Sequence, residues 1–254
     1  MSGNLETASI KERLWHNMRQ DLAQFVPETE GNQLLMCCAC GRFLPLEFFD
    51  LEHLIPQRAL RIDPAVLRSD PATPANVRSG NLLLCKKPLL YKGSKHYGNG
   101  CNSWKGRFYD GPIADLLSGG AQLSSPSRRV RDTHIIGALM LGYLAMVAKY
   151  GYVVTLMESG LILREQFFNP NRSHKRLGTR HQVVLAGQPF TKEGEKIWTN
   201  PFSFSFERGA CFVTVRNFVI IVPVSRDPFA PIATHLRIVP SRFTFRPDFT
   251  TAFS

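Results

Sequence analysis

The placement of its cysteines constrains this chain more than any other feature. Cys37 and Cys40 form a Cys-x-x-Cys pair followed by Gly41, and Cys85 and Cys101 come later, so that five of the six cysteines lie between residues 37 and 101. Such a pair usually means metal, and a structural Zn²⁺ site takes four ligands, commonly two pairs that folding brings together. The fold must then carry residues 85 and 101 back to the 37–40 turn. Fifteen residues separate Cys85 from Cys101, so the chain between them has to bulge out as a loop. His96 is an alternative ligand in place of one of the second pair. Cys38 does not share the geometry of the turn easily, and Cys211 sits in a strand pattern, where a buried thiol is expected.

At 254 residues and 44% hydrophobic, the chain can bury the core of one large domain or two small ones. The formal charge of +11 favours a polyanionic partner, because basic side chains release counterions from phosphates; an acidic lipid surface is the alternative. Residues 1–20 carry mixed charges and no apolar core, unlike a secretory signal, and the cysteines are not spaced like an extracellular framework. A reducing compartment, most simply the cytoplasm, is expected. Residues 135–148 read IIGALMLGYLAMVA without a charge. A membrane span needs about twenty such residues, so a buried core helix is the better reading, with Asp132 or Thr133 as N-cap and Gly151 beyond its end.

Ser9-x-x-Glu12 is a capping-box pattern, and Ile10, Leu14, Met18, Leu22 and Phe25 recur at helical spacing up to Pro27. The turn at Cys37 leads into an apolar stretch to Pro56 suited to a hairpin, and residues 57–80 read as a connection with at most a short helix. Helices are predicted from Asn102 to about Tyr109 and from Gly111-Pro112 to before Gly119-Gly120. Residues 119–131 make the best linker. Beyond 150 the pattern turns β-rich, with strands predicted at Gln182–Ala186, Phe202–Phe206, Cys211–Val224 and His235–Val239. Thirteen of the eighteen Phe lie after residue 160, enough for this half to build a core of its own. The expected organisation is an N-terminal helix (1–34), a metal-bearing domain (35–118), the linker (119–131), and a helix followed by a β-rich domain (132–254).

Three short blocks lie within the cysteine frame: Glu52-His53 in EHLIP, Asn81 in GNLLLC, and Asn102 in CNSWKGRFYD. His53 has the intrinsic pKa of a general base at working pH, and Glu52 offers an oxygen to a hard ion such as Mg²⁺ or Mn²⁺, with Asn102 as a second donor. Adjacent residues on a strand face opposite ways, so Glu52 and His53 can serve one site only where the strand ends or bulges. Asp110 either braces the helix or stands behind the ion.

In order, these blocks resemble the signature of the HNH endonucleases, in particular the zinc-stabilised branch with a ββα-metal core. The resemblance covers about residues 35–118 and implies an α+β fold with a structural zinc held by Cys37, Cys40, Cys85 and Cys101. It further implies His53 as general base, Glu52 and Asn102 as ligands of the catalytic ion, and Asn81 as the brace of the loop that positions the base. DNA is the implied substrate and a 5′-phosphate the implied product. Three features depart from the family pattern: the long separation of His53 from Asn81, the loop before Cys101, and Asn102 where some relatives have His.

Basic residues that could meet phosphate are Lys105 and Arg107 at the start of a helix, and Arg172, Lys175 and Arg176 in RSHKRLGTRH; Arg128, Arg129 and Arg131 form a further cluster. Two functions are compatible with these features. The first is a metal-dependent nuclease acting on DNA; the second is a non-catalytic zinc module that binds nucleic acid or recruits a partner. In either case the second half is expected to supply target choice, oligomer contacts or a protein partner, and no membrane.

Overall fold

The computed structural model describes residues 8–62, 81–87, 89–91, 95–97, 100–118, 132–175, 177, 182–186, 202–207, 209–215, 218–224 and 236–239. The fold is mixed helix and sheet, with one five-stranded sheet and three two-stranded ribbons among these residues. The predicted linker, the segment 63–80 and Arg176 lie outside them.

Helix α1 (Ile10–Ala23) begins at the predicted cap: the Ser9 side chain accepts from the Glu12 amide and Glu12 returns a bond to the Ser9 amide. Its buried face is Leu14, Trp15, Met18 and Leu22, while Phe25, beyond its end, is exposed. Two short strands, β1 (Leu35–Met36) and β2 (Phe43–Leu44), pair antiparallel on either side of the Cys37–Cys40 turn.

The apolar stretch after the turn does not fold into a hairpin of its own. A 3-10 turn over Leu46–Phe48 ends in β3 (Phe49–His53), which pairs with β4 (Asn81–Cys85) from across the connection. Four consecutive buried residues, Leu82 to Cys85, fit this pairing: β4 is covered on both faces. Short helix α2 (Gln57–Ile62) follows β3, and ribbon strands β5 (Leu89–Tyr91) and β6 (Lys95–Tyr97) fill part of the loop expected before Cys101.

Helix α3 (Cys101–Phe108) packs on β4, and α4 (Asp110–Ser118) continues almost without a break. Helix α5 (Asp132–Tyr150) is the predicted apolar helix, and 83% of its apolar window is buried inside the molecule, which marks it as a core helix. Helices α6 (Tyr152–Leu156) and α7 (Glu158–Phe167) follow; their mixed composition gave no strong periodic signal in the sequence.

The large sheet has the order β11-β7-β10-β9-β8, formed by β7 (Gln182–Ala186), β8 (Phe202–Glu207), β9 (Ala210–Val215), β10 (Phe218–Pro223) and β11 (Leu236–Val239). Neighbours are antiparallel except β11 and β7, which run parallel. The predicted run Cys211–Val224 is thus a hairpin of two strands. Helix α5 lies across this sheet on one side and against α4 on another, so a continuous core runs from α1 and the cysteine turn to the sheet. Hydrogen bonds cross it: Trp104 Nε1 and the Tyr109 hydroxyl both donate to the Phe167 carbonyl, at 2.8 and 2.6 Å.

Helix α5 packs tightly on the sheet at Gly142, where a Cβ would sit 2.8 Å from Val222 Cγ2 and 3.0 Å from Ile220 Cγ2. Gly142→Val should therefore cost about 1–3 kcal/mol by overpacking, read as a lower urea midpoint with an unchanged slope.

Candidate metal centre and catalytic cluster

Gly41, at φ 72, turns the chain after Cys40, and its amide donates to the Cys37 carbonyl at 2.7 Å. Gly100, at φ 89, lets α3 start hard against β4: a side chain there would bring Cβ within 2.5 Å of the Cys85 carbonyl oxygen. These two turns bring the thiols together. The sulfurs of Cys37, Cys40 and Cys101 lie within 4.8 Å of one another, a group able to hold a metal ion such as zinc. Cys85 is not one of this close group of three; it is tied to it through the Arg42 guanidinium, which donates to Cys40 Sγ at 3.3 Å and to Cys85 Sγ at 3.0 Å. Contacts with the neighbouring thiols of Cys101, Cys37 and Cys85 push the Cys40 thiol well below its ordinary range. Buried thiols in mutual contact, with no disulfide among them, suit a soft divalent ion.

The other two cysteines behave as plain buried thiols. Burial raises Cys38 strongly, and its carbonyl accepts from the Tyr143 hydroxyl at 2.7 Å. Cys211 in β9 is pushed up to about 12 by burial.

Beside the thiols lies the second cluster. In the β3–β4 register His53 stands directly opposite Asn81, and His53 is the last residue of its strand, the ending that the Glu52-His53 pair requires. Glu52 is buried at 7% exposure and bonds through Oε1 to Lys105 Nζ at 2.7 Å. Lys105 Nζ also donates to Asp110 Oδ1 at 2.6 Å and to the His53 carbonyl at 3.0 Å. Asn102 occupies the first turn of α3, half-buried.

Lys105 therefore does not meet phosphate as the sequence suggested. It is 1% exposed, because it follows Cys101 by four residues: a helix that turns Cys101 toward the thiols turns Lys105 inward as well. Burial alone would lower the Lys105 pKa, but the charges of Glu52 and Asp110 prevail and raise it, so the ammonium stays protonated. Glu52 is raised by burial, with Lys105 pulling the other way. Asp110 thus braces the helix through Lys105. Glu52, predicted as a free ligand for a hard ion, already shares its charge with an ammonium.

The His53 imidazole is lowered from its ordinary value of 6.5, first by burial and then by the Lys105 charge, with Asp110 opposing. It is neutral at pH 7, the state a general base needs. Of the other basic candidates, Arg107, Arg172 and Lys175 are exposed. The side chain of His96 lies outside the described residues. Arg42 was missed by sequence reasoning: it donates to Cys40 Sγ and Cys85 Sγ, and a basic residue two places after a Cys-x-x-Cys pair was the available signal.

Lys105→Met should strand a buried carboxylate and destabilise the fold by about 3–5 kcal/mol in urea unfolding, most of it recovered when Glu52→Gln is added. An NMR titration should place the His53 midpoint below 6.5. Because the folded-state value is depressed, this contribution to stability is present above the unfolded-state value and lost as pH falls through the folded one.

No protein-family model, curated protein or solved structure matches the chain, so its reading rests on the geometry of these two clusters.

Proposed function

We propose that the chain is an HNH-type endonuclease that hydrolyses DNA phosphodiester bonds, built on a zinc-stabilised ββα core. One observation carries this reading: three short blocks, scattered over some fifty residues, converge as a strand pair with His53 opposite Asn81, covered by the helix that starts at Cys101.

In this mechanism the neutral His53 imidazole accepts a proton from water as its oxygen attacks phosphorus. Asn81 steadies the strand end that carries His53, and the Lys105 ammonium, bonded to the His53 carbonyl, fixes the same segment from the helix side. Glu52 and Asn102 are the residues that would hold a Mg²⁺ or Mn²⁺ ion, which would supply positive charge to the phosphate and the departing 3′ oxygen. Arg107, Arg172 and Lys175 meet the backbone phosphates and make binding fall with salt. The thiols hold zinc as a structural ion, in keeping with a reducing compartment such as the cytoplasm.

A second reading, a zinc-containing module that binds nucleic acid or recruits a partner without turnover, draws support from Lys105. Its ammonium already neutralises Glu52, which leaves less negative charge to hold a divalent ion.

Supercoiled DNA incubated with Mg²⁺, Mn²⁺ or EDTA separates the two. The nuclease reading expects ion-dependent cutting that falls by about 10²–10⁴-fold in His53→Ala, with fold, zinc content and DNA affinity kept. Equal cutting by that variant would sink the mechanism. Zinc and salt-sensitive DNA binding with no cutting would establish the binding module.

A further inference from the structure

The Arg42 guanidinium grips the thiol cluster from outside. Its Nε donates to Cys40 Sγ at 3.3 Å and one terminal nitrogen to Cys85 Sγ at 3.0 Å, while the same nitrogen donates to the Lys87 carbonyl at 2.7 Å. The two sulfurs come from different segments, one from the Cys-x-x-Cys turn and the other from the end of β4. Arg42 is itself held from its own side, since its carbonyl accepts from the Cys37 amide at 2.9 Å. A planar fork with fixed N–H directions bonds the two sulfurs in one set geometry, which a lysine ammonium on a flexible stem does not fix.

This geometry has a specific use if the thiols carry zinc, and the role assigned to Arg42 rests on that reading. A four-thiolate zinc centre has a net charge of about −2, expensive in a site where most of the sulfurs are buried. Two N–H···S bonds from a cation draw electron density off the sulfurs they reach, and groups that bond metal ligands from behind commonly change metal retention by about 10–100-fold. The bonds also span the two ligand pairs, so they hold Cys85 against Cys40 before any ion arrives.

We propose that Arg42 is the counter-charge of the cysteine centre: by bonding Cys40 and Cys85 it holds the two pairs together for zinc and shields their sulfurs from electrophiles. Shielding concerns the sulfur lone pair. Alkylation by a maleimide needs that pair to form the new S–C bond as the ring C=C π bond breaks and the adjacent carbon takes a proton from water, and a sulfur engaged by a guanidinium N–H offers it less readily.

The test uses the full chain purified with its metal, measuring zinc per chain and then the rate of zinc release to a chromogenic chelator, with and without excess N-ethylmaleimide. Arg42→Ala, Arg42→Lys and the neighbouring Lys86→Ala are compared with wild type, with urea midpoints recorded for each. Arg42→Ala is expected to release zinc at least about 10-fold faster under alkylation, Arg42→Lys to fall between, and Lys86→Ala to match wild type. Wild-type release rates in Arg42→Ala, or in Arg42→Lys should the alanine variant fail to fold, would overturn the proposal while leaving the zinc reading intact. A wild-type chain that holds no zinc overturns both, and the metal analysis reports that case separately.

Discussion

A single buried ammonium organises the candidate site. Lys105 Nζ lies within 3.0 Å of three oxygens: the Glu52 carboxylate, the Asp110 carboxylate and the His53 carbonyl. Each belongs to a different part of the unit: Glu52 and the His53 main chain end strand β3, Lys105 lies mid-way along α3, and Asp110 opens α4. Taking a charge out of water is costly, so it stays buried only where several polar partners are fixed around it. The strand end, the helix and the helix junction are thereby held in one mutual arrangement, and the His53 side chain is carried along with them.

The thiol cluster does the same work a turn of helix away. Cys101 and Lys105 project from the same face of α3, one into sulfur and the other into oxygen. The helix is thus fastened to the β3–β4 pair at two points of opposite chemistry, one soft and anionic, the other a hard cation. Its outer face remains free to present Arg107 to solvent. This division gives a short helix, with little apolar surface of its own, a defined position.

Much of this was legible in the sequence. The capping box at Ser9 and Glu12 set the start of α1, the uncharged run 135–148 marked α5, and the strands predicted from 182, 202 and 235 correspond to β7, β8 and β11, the last starting at Leu236. Of the four thiols chosen by spacing, Cys37, Cys40 and Cys101 come together as one group. What escaped were facts of tertiary origin. The partner of β3 lies 28 positions away, and no local pattern distinguishes a strand that pairs at long range from one that folds back on its neighbour. The apolar stripe of helices α6 and α7 is blurred because the polar Thr155, Ser159 and Gln166 are buried while Val153, Leu156 and Leu161 are exposed. Lys105 was misread because a lysine is usually at the surface, and only its helical phase relative to Cys101 announces otherwise. Arg42 was overlooked because a guanidinium bonded to sulfur leaves no sequence signature beyond its nearness to the turn.

The cysteine turn is also anchored from behind. The Tyr143 hydroxyl of α5 donates to the Cys38 carbonyl, and the Tyr152 hydroxyl of α6 donates to the Met36 carbonyl, both deep in the core. These two phenols brace the main chain on either side of Cys37 with groups that belong to the interior of the second half. A turn held in this way cannot peel off as a separate flap. Opening the cysteine cluster and melting the interior become parts of one cooperative event, so the loss of any ion held there would gauge the integrity of this core.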